Sequence, residues 1–132
     1  MQSKRVKRLL ELKRKMEDLA KVEFGQVQGQ LNSAVTAFED LQSAPADAVS
    51  KGTLDRTFIH LAQRAALSTA FAIEEFREER DKKKATFMAR RQETRQMDTL
   101  YGKITKRERA EAEKREQKAL DDWATTVWGR RK

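Results

Sequence analysis

Few side chains in this chain could do chemistry. They are a single histidine, His60, the carboxylate pairs Glu74-Glu75 and Glu78-Glu79, and two tryptophans, Trp123 and Trp128. A histidine becomes a general base or a metal ligand only when other groups converge on it. On a helix the i±4 neighbours of His60 are Arg56 and Arg64, both cations, so His60 reads as an ordinary helix-surface residue. The four glutamates stand beside Arg77, Arg80 and nearby lysines, which suits solvated ion pairing better than acid–base work. The absence of cysteine excludes disulfides, thiolate zinc sites and thiol nucleophiles. No Gly-rich phosphate loop, G-x-S-x-G elbow or His-x-x-x-His spacing occurs. The reading is of a protein that is not an enzyme, with no catalytic, cofactor-binding or metal-ligating residue. The tryptophans point to binding instead. Leu120, Trp123, Val127 and Trp128 share one helical face, and tryptophan is a frequent anchor where proteins dock.

The elements that position these residues follow from where the chain can and cannot break. Between Thr53 and Val127 there is no proline, and the only glycine is Gly102. The one proline, Pro45, lies in a segment from Ser43 to Thr53 that also holds Gly52. The expected fold is all-α: an antiparallel two-helix coiled-coil hairpin in a single domain over 1–132. Helix 1 covers about 3–42, a loop 43–53, and a longer helix 2 about 54–127. Ser3 is the expected N-cap of the first helix, and Thr53 that of the second, with Asp55 in its first turn.

In helix 1 the apolar positions are Leu9, Leu12, Met16, Leu19/Ala20, Phe24, Val27, Leu31, Ala34, Phe38 and Leu41. From Phe24 onward they keep the 3-4 spacing of a coiled coil, whereas Met16, Ala20 and Phe24 read as a stutter. Gly25 and Gly29 either permit close helix approach or are simply tolerated. In helix 2 the expected seam begins Leu54, Phe58, Leu61, Ala65, Ala72, Phe76, with Phe71 and Ile73 widening the apolar band. Farther on, Phe87, Met97, Leu100, Tyr101 and Ile104 alternate with Arg80, Lys83, Arg90 and Thr94. Support there comes from i,i+4 pairs such as Glu79–Lys83 and Glu111–Arg115. The helix is read as continuous through Gly102. At the α-helical rise, helix 1 is about 60 Å long and helix 2 about 110 Å. Pairing outward from the loop sets Ser3 near Glu93 and leaves roughly the last 35 residues, on that rise, without a partner.

The formal charge of +8 is uneven. Met1 to Lys15 carry seven Lys/Arg against Glu11 alone, and Arg77 to Lys132 carry eighteen basic against eleven acidic residues. Basic ends suit an acidic partner surface. No apolar run nears the ~20 residues that span a bilayer, and the basic N-terminus lacks the apolar core of a secretory signal. A cytoplasmic protein without direct membrane insertion is expected.

The basic N-terminus, the two helices folded at a short loop, and the ending Glu116-x-x-x-x-Asp121-Asp122-Trp123 resemble the FliJ family, the coiled-coil component of the flagellar type III export machine. The related YscO family of injectisome systems looks alike. The resemblance implies a non-catalytic coiled coil in flagellum biogenesis, chemotaxis and protein transport by type III secretion. Such a protein lies peripheral to the inner membrane at the export apparatus. It implies insertion of the helix ends into a hexameric export ATPase, which it regulates, and coupling of that ring to the cytoplasmic domain of the export gate. Export chaperones are further implied partners. Residue by residue, the ATPase-binding ends fall at Lys4, Arg5, Lys7, Arg8, Arg115, Lys118, Asp121, Trp123 and Trp128. The export-gate patch falls at Gln30, Ala34, Ala37, Leu41, Phe58, Ala62, Ala65 and Thr69. Phe58 and Leu41 also lie on the expected seam.

Two other classes compete. A basic helical protein could bind nucleic acid, but acids are interspersed throughout and no docking motif is visible, so no nucleic acid is expected. A dimeric structural coiled coil is the other; Arg80 and Lys83 on the helix 2 seam argue against a simple parallel dimer.

Overall fold

Helix ends in this chain are set by one glycine and one aspartate. The computed structural model describes residues 2–50, 52 and 55–130, and two α-helices hold nearly all of them: α1, Gln2–Ser50, and the longer α2, Arg56–Arg130. Gly52 takes the left-handed conformation (φ 71°), and its N–H donates to the Val49 carbonyl at 3.1 Å. Only glycine adopts that backbone without a steric cost, which is why α1 stops there. Asp55 then starts α2. Its Oδ1 accepts the Thr57 N–H at 3.2 Å while its carbonyl takes the Ile59 N–H at 3.0 Å. The cap is therefore Asp55. The expected cap Thr53 and first seam residue Leu54 lie outside the described residues.

The first helix runs through Pro45 to Ser50, not to residue 42 as the sequence suggests. An interior proline forfeits one backbone hydrogen bond, at a cost of about 3 kcal/mol. Two features offset it here. Ala44, Ala46 and Ala48 are strong helix formers, and the Pro45 ring is half-buried, bordering a groove with Leu41, Ala62 and Ala66. Because α1 continues so far, its residues meet partners later in α2 than expected.

The helices pack antiparallel within two units. The first comprises Met1–Lys15 and Arg91–Lys132. There Val6 and Leu10 are buried, facing half-buried Met97, Tyr101 and Ile104. Lys13 Nζ pairs with Glu93 at 3.0 Å, and the buried Thr94 hydroxyl donates to the Lys13 carbonyl at 3.3 Å. Ser3 lies opposite Glu108, not Glu93, its N–H donating to Glu108 Oε1 at 3.1 Å. The unpartnered end of α2 thus begins after Glu108 and is shorter than expected.

The second unit, Met16–Arg90, buries Ala20, Val27 and Leu31 of α1 against Ala62 and Ile73 of α2. Phe24 and Phe87 stack across it, ring centroids 6.2 Å apart and planes 5° from parallel. Lys83 reaches Glu23 at 3.4 Å, crossing to the other helix instead of pairing with Glu79.

Burial corrects the seam in two places. On α1 the positions turned inward include Val6, Leu10, Lys13, Met16, Glu17, Ala20, Phe24, Val27 and Leu31. Leu9, Leu12 and Leu19 are exposed. On α2 the inward positions are Ala62, Ala66, Thr69, Ile73, Phe76, Arg80, Lys83 and Phe87, whereas Phe58 and Leu61 are exposed. The reason is physical. The Lys13 and Lys83 stems cover apolar surface while their charged heads reach carboxylates, so polar letters sit on the seam and leucines off it. A Cβ built on Gly25, Gly29 or Gly102 meets nothing within 4 Å, so these glycines serve no close approach. α2 passes through Gly102 without a break.

Candidate functional site

Within the first unit, the stretch of α2 after Glu108 has no α1 residue opposite it. The 3-4 stripe that faces α1 at Met97, Tyr101, Ile104 and Glu108 continues as Glu111, Arg115, Lys118, Asp122 and Thr125, all hydrophilic. The apolar residues of the tip occupy a different face. Leu120, Trp123 and Trp128 are exposed, the tryptophans at 66% and 72% of their surface, with Ala124 and Val127 half-exposed between them. Apolar surface of this kind, turned away from the intramolecular partner, makes the tip a candidate docking face. Trp128 borders a shallow groove with Ala124, Thr125 and Gly129.

The polar side chains of the tip bond locally. The Thr125 and Thr126 hydroxyls donate to the Asp121 and Asp122 carbonyls, both at 2.8 Å, and Gln117 Nε2 donates to Asp121 Oδ1 at 3.4 Å. Glu111 pairs with Arg107 at 3.4 Å, while Arg115 Nε reaches only the Glu111 backbone carbonyl, so the expected Glu111–Arg115 side-chain pair is replaced.

Lys4, Arg5, Lys7 and Arg8 are all exposed. They lie between the levels of Glu108 and Asp98, however, while Asp121 lies thirteen residues beyond Glu108 in the other direction, about 20 Å at the helical rise. Arg115 and Lys118 therefore lie on the hydrophilic stripe of the tip, Trp123 and Trp128 on a different face of it, and the basic start of α1 lies apart from both. The sequences that make up this unit carry nineteen basic against nine acidic residues, net +10, so the positive charge of the chain is concentrated there. Glu108 is the exception that matters locally. Hydrogen bonds from the Ser3 side chain and backbone hold its carboxyl below the usual carboxylate range.

The second expected surface, in the second unit, is only partly available. Gln30, Ala37 and Phe58 are exposed; Ala34, Leu41, Ala65 and Thr69 are half-buried; Ala62 is packed into the seam. Leu41 and Ala62 are brought together at the groove beside Pro45. The Thr69 hydroxyl is occupied by the Ala65 carbonyl at 2.8 Å. Phe71, expected to widen the apolar band of the seam together with the buried Ile73, is instead exposed, as is Leu67, which the residue pattern did not single out. Extending the 3-4 pattern from Ile73 rather than from Phe58 would have placed both outside the seam.

Among the described residues, no helix is long and apolar enough to cross a membrane. The profile of one family, described as Flagellar FliJ protein, matches residues 2–132. No curated protein and no solved structure matches the chain. The two-helix architecture agrees with the coverage of that match, and the chain belongs to the FliJ family, components of flagellar type III export.

Proposed function

We propose that this protein couples the export ATPase ring to the export gate and carries no ATP site of its own. The observation that carries the reading is the tip of α2, an exposed Leu120, Trp123 and Trp128 face beyond the start of α1. The tip enters the hexameric ATPase, its tryptophans anchoring in apolar surface there. The basic start of α1, with Lys4, Arg5, Lys7 and Arg8, meets acidic loops at the rim, where long-range attraction speeds encounter. The gate contact uses the exposed members of the second surface, Gln30, Ala37 and Phe58; Ala34, Leu41, Ala65 and Thr69 shape it from beneath.

Purified export ATPase from the same cell tests this. The wild-type chain should co-purify with the ring and alter its ATP turnover, and Trp123→Ala should lose both while keeping its helix content. Unchanged capture by Trp123→Ala with Trp128→Ala would remove the tip from the mechanism. Charge reversal of Lys4 and Arg8 should slow association and make it less sensitive to salt. The gate contact is tested by Phe58→Ala against the cytoplasmic gate domain.

A further inference from the structure

The outer face of α2 in the second unit carries a stripe that no described part of the chain covers: His60, Arg64, Leu67, Phe71, Glu74 and Glu78, all exposed and spaced 4-3-4-3-4. That spacing keeps the six on one line of a coiled helix, opposite Ala62, Thr69 and Ile73 of the seam. Leu67 is 64% exposed and Phe71 72%. The order along the stripe is cationic or titratable, then apolar, then acidic. It reads symmetrically about the level of Thr69: Leu67 and Phe71 lie equally far from it, as do Arg64 and Glu74, and as do His60 and Glu78.

From this symmetry we infer that the stripe is a self-association surface whose occupant is a second copy of this chain, with the two α2 helices antiparallel. A two-fold axis at the level of Thr69 sets Leu67 of each copy against Phe71 of the other. It also sets Arg64 against Glu74 and His60 against Glu78, every contact occurring twice, as an isologous interface requires. A parallel arrangement would instead stack Arg64 on Arg64 and Glu74 on Glu74. Glu74 already pairs with Arg77 of its own chain at 2.9 Å, so it would lie between two guanidinium groups. Leu67 also forms the rim of the open groove with Leu41, Pro45, Ala62 and Ala66, about 690 Å³, which gives an incoming Phe71 ring apolar surface beyond Leu67 itself. One apolar pair on each side of the axis buries less than the ~800 Å² per partner of a standard stable interface, so the association is weak, with a dissociation constant on the order of 100 μM. The interface leaves the α2 tip and Phe58 uncovered and borders the proposed gate surface at the Leu41 groove.

Sedimentation velocity of the full chain from about 5 μM to about 1 mM tests it. The wild type should shift from the 15.3 kDa monomer toward twice that mass. Arg64→Glu alone and Glu74→Arg alone should each stay monomeric, since each sets like charges together twice. An equimolar mixture of the two variants should regain the dimer, because every cross-pair is then opposite in sign. Phe71→Ala should be monomeric with unchanged circular dichroism. A wild type that remains at 15.3 kDa throughout overturns the proposal and leaves the stripe to a different molecule. A wild-type dimer that the mixed variants fail to restore overturns the antiparallel pairing.

Discussion

The Ser3 backbone N–H and Glu108 Oε1 are joined across the two helices at 3.1 Å, so a carboxylate of α2 caps the first turn of α1. The first four N–H groups of a helix have no partner in their own helix. A negative group there also meets the positive end of the helix dipole. The cap comes from a residue 105 positions away, which no local sequence signature could reveal.

The first prediction concerns this cap. Glu108→Ala should fray the first turn of α1, read as faster amide exchange at Ser3 with little change in overall stability. The Glu108 carboxyl is held below its ordinary value by Ser3. Its contribution is therefore complete above the unfolded carboxylate pKa of about 4.3 and fades as pH falls through the lower folded value. Exchange at Ser3 should accelerate in that acid window in the wild type, beyond the intrinsic pH effect, and not in Glu108→Gln. Identical acid behaviour of the two proteins would refute the cap.

A second prediction rests on the Phe24–Phe87 stack. Full burial of a phenylalanine makes truncation to alanine cost about 3–5 kcal/mol. Both rings are only half-buried, so Phe24→Ala and Phe87→Ala should each cost about 2 kcal/mol in urea unfolding. The double variant should show a coupling of about 0.5–1.5 kcal/mol. Strict additivity would mean that the rings touch without interacting.

The glycines supply a third. Since an added Cβ meets nothing within 4 Å at Gly25, Gly29 or Gly102, alanine at each should raise stability by about 0.5–1 kcal/mol through helix propensity alone. Gly25 and Gly29 stand one turn apart on α1, close enough for their effects to couple. A loss at any of them in thermal melts would show that its glycine has a role beyond tolerance.

Lys83 offers a fourth. It occupies the seam of α2, its ammonium 3.4 Å from a Glu23 carboxylate that keeps 41% of its surface. A pair this exposed is worth at most about 1 kcal/mol, and Glu23 can return to water when it is lost. Lys83→Leu should accordingly stabilise the second unit by about 1 kcal/mol through added apolar burial. Destabilisation would assign the lysine a larger electrostatic role than its exposure allows.

Much of this fold was legible beforehand. The long proline-free run from Thr57 onward, the unequal helices and the exposed tryptophan face all follow from residue type and spacing. What misled was the assumption that leucine marks the seam. Leu9, Leu12 and Leu19 sit one position away from Leu10, Lys13 and Ala20, and a one-residue choice rotates a helix by about 100°. Only the partner helix decides between such faces, and its register depended on Pro45 lying inside α1 rather than ending it. The two candidate surfaces differ accordingly: the apolar face of the tip, which depends on one helix, is exposed as its spacing implies, while the Ala62 position is turned into the seam.

The change of residue character in α2 at Glu108 also limits how the molecule can evolve. Were α1 lengthened by several turns at its beginning, the added segment would find Glu111, Arg115, Lys118 and Asp122 where an apolar track should be, and would gain no stable bed. The last turns of α2 are in this way insulated from capture by their own chain, and the tryptophans stay available however the N-terminus varies.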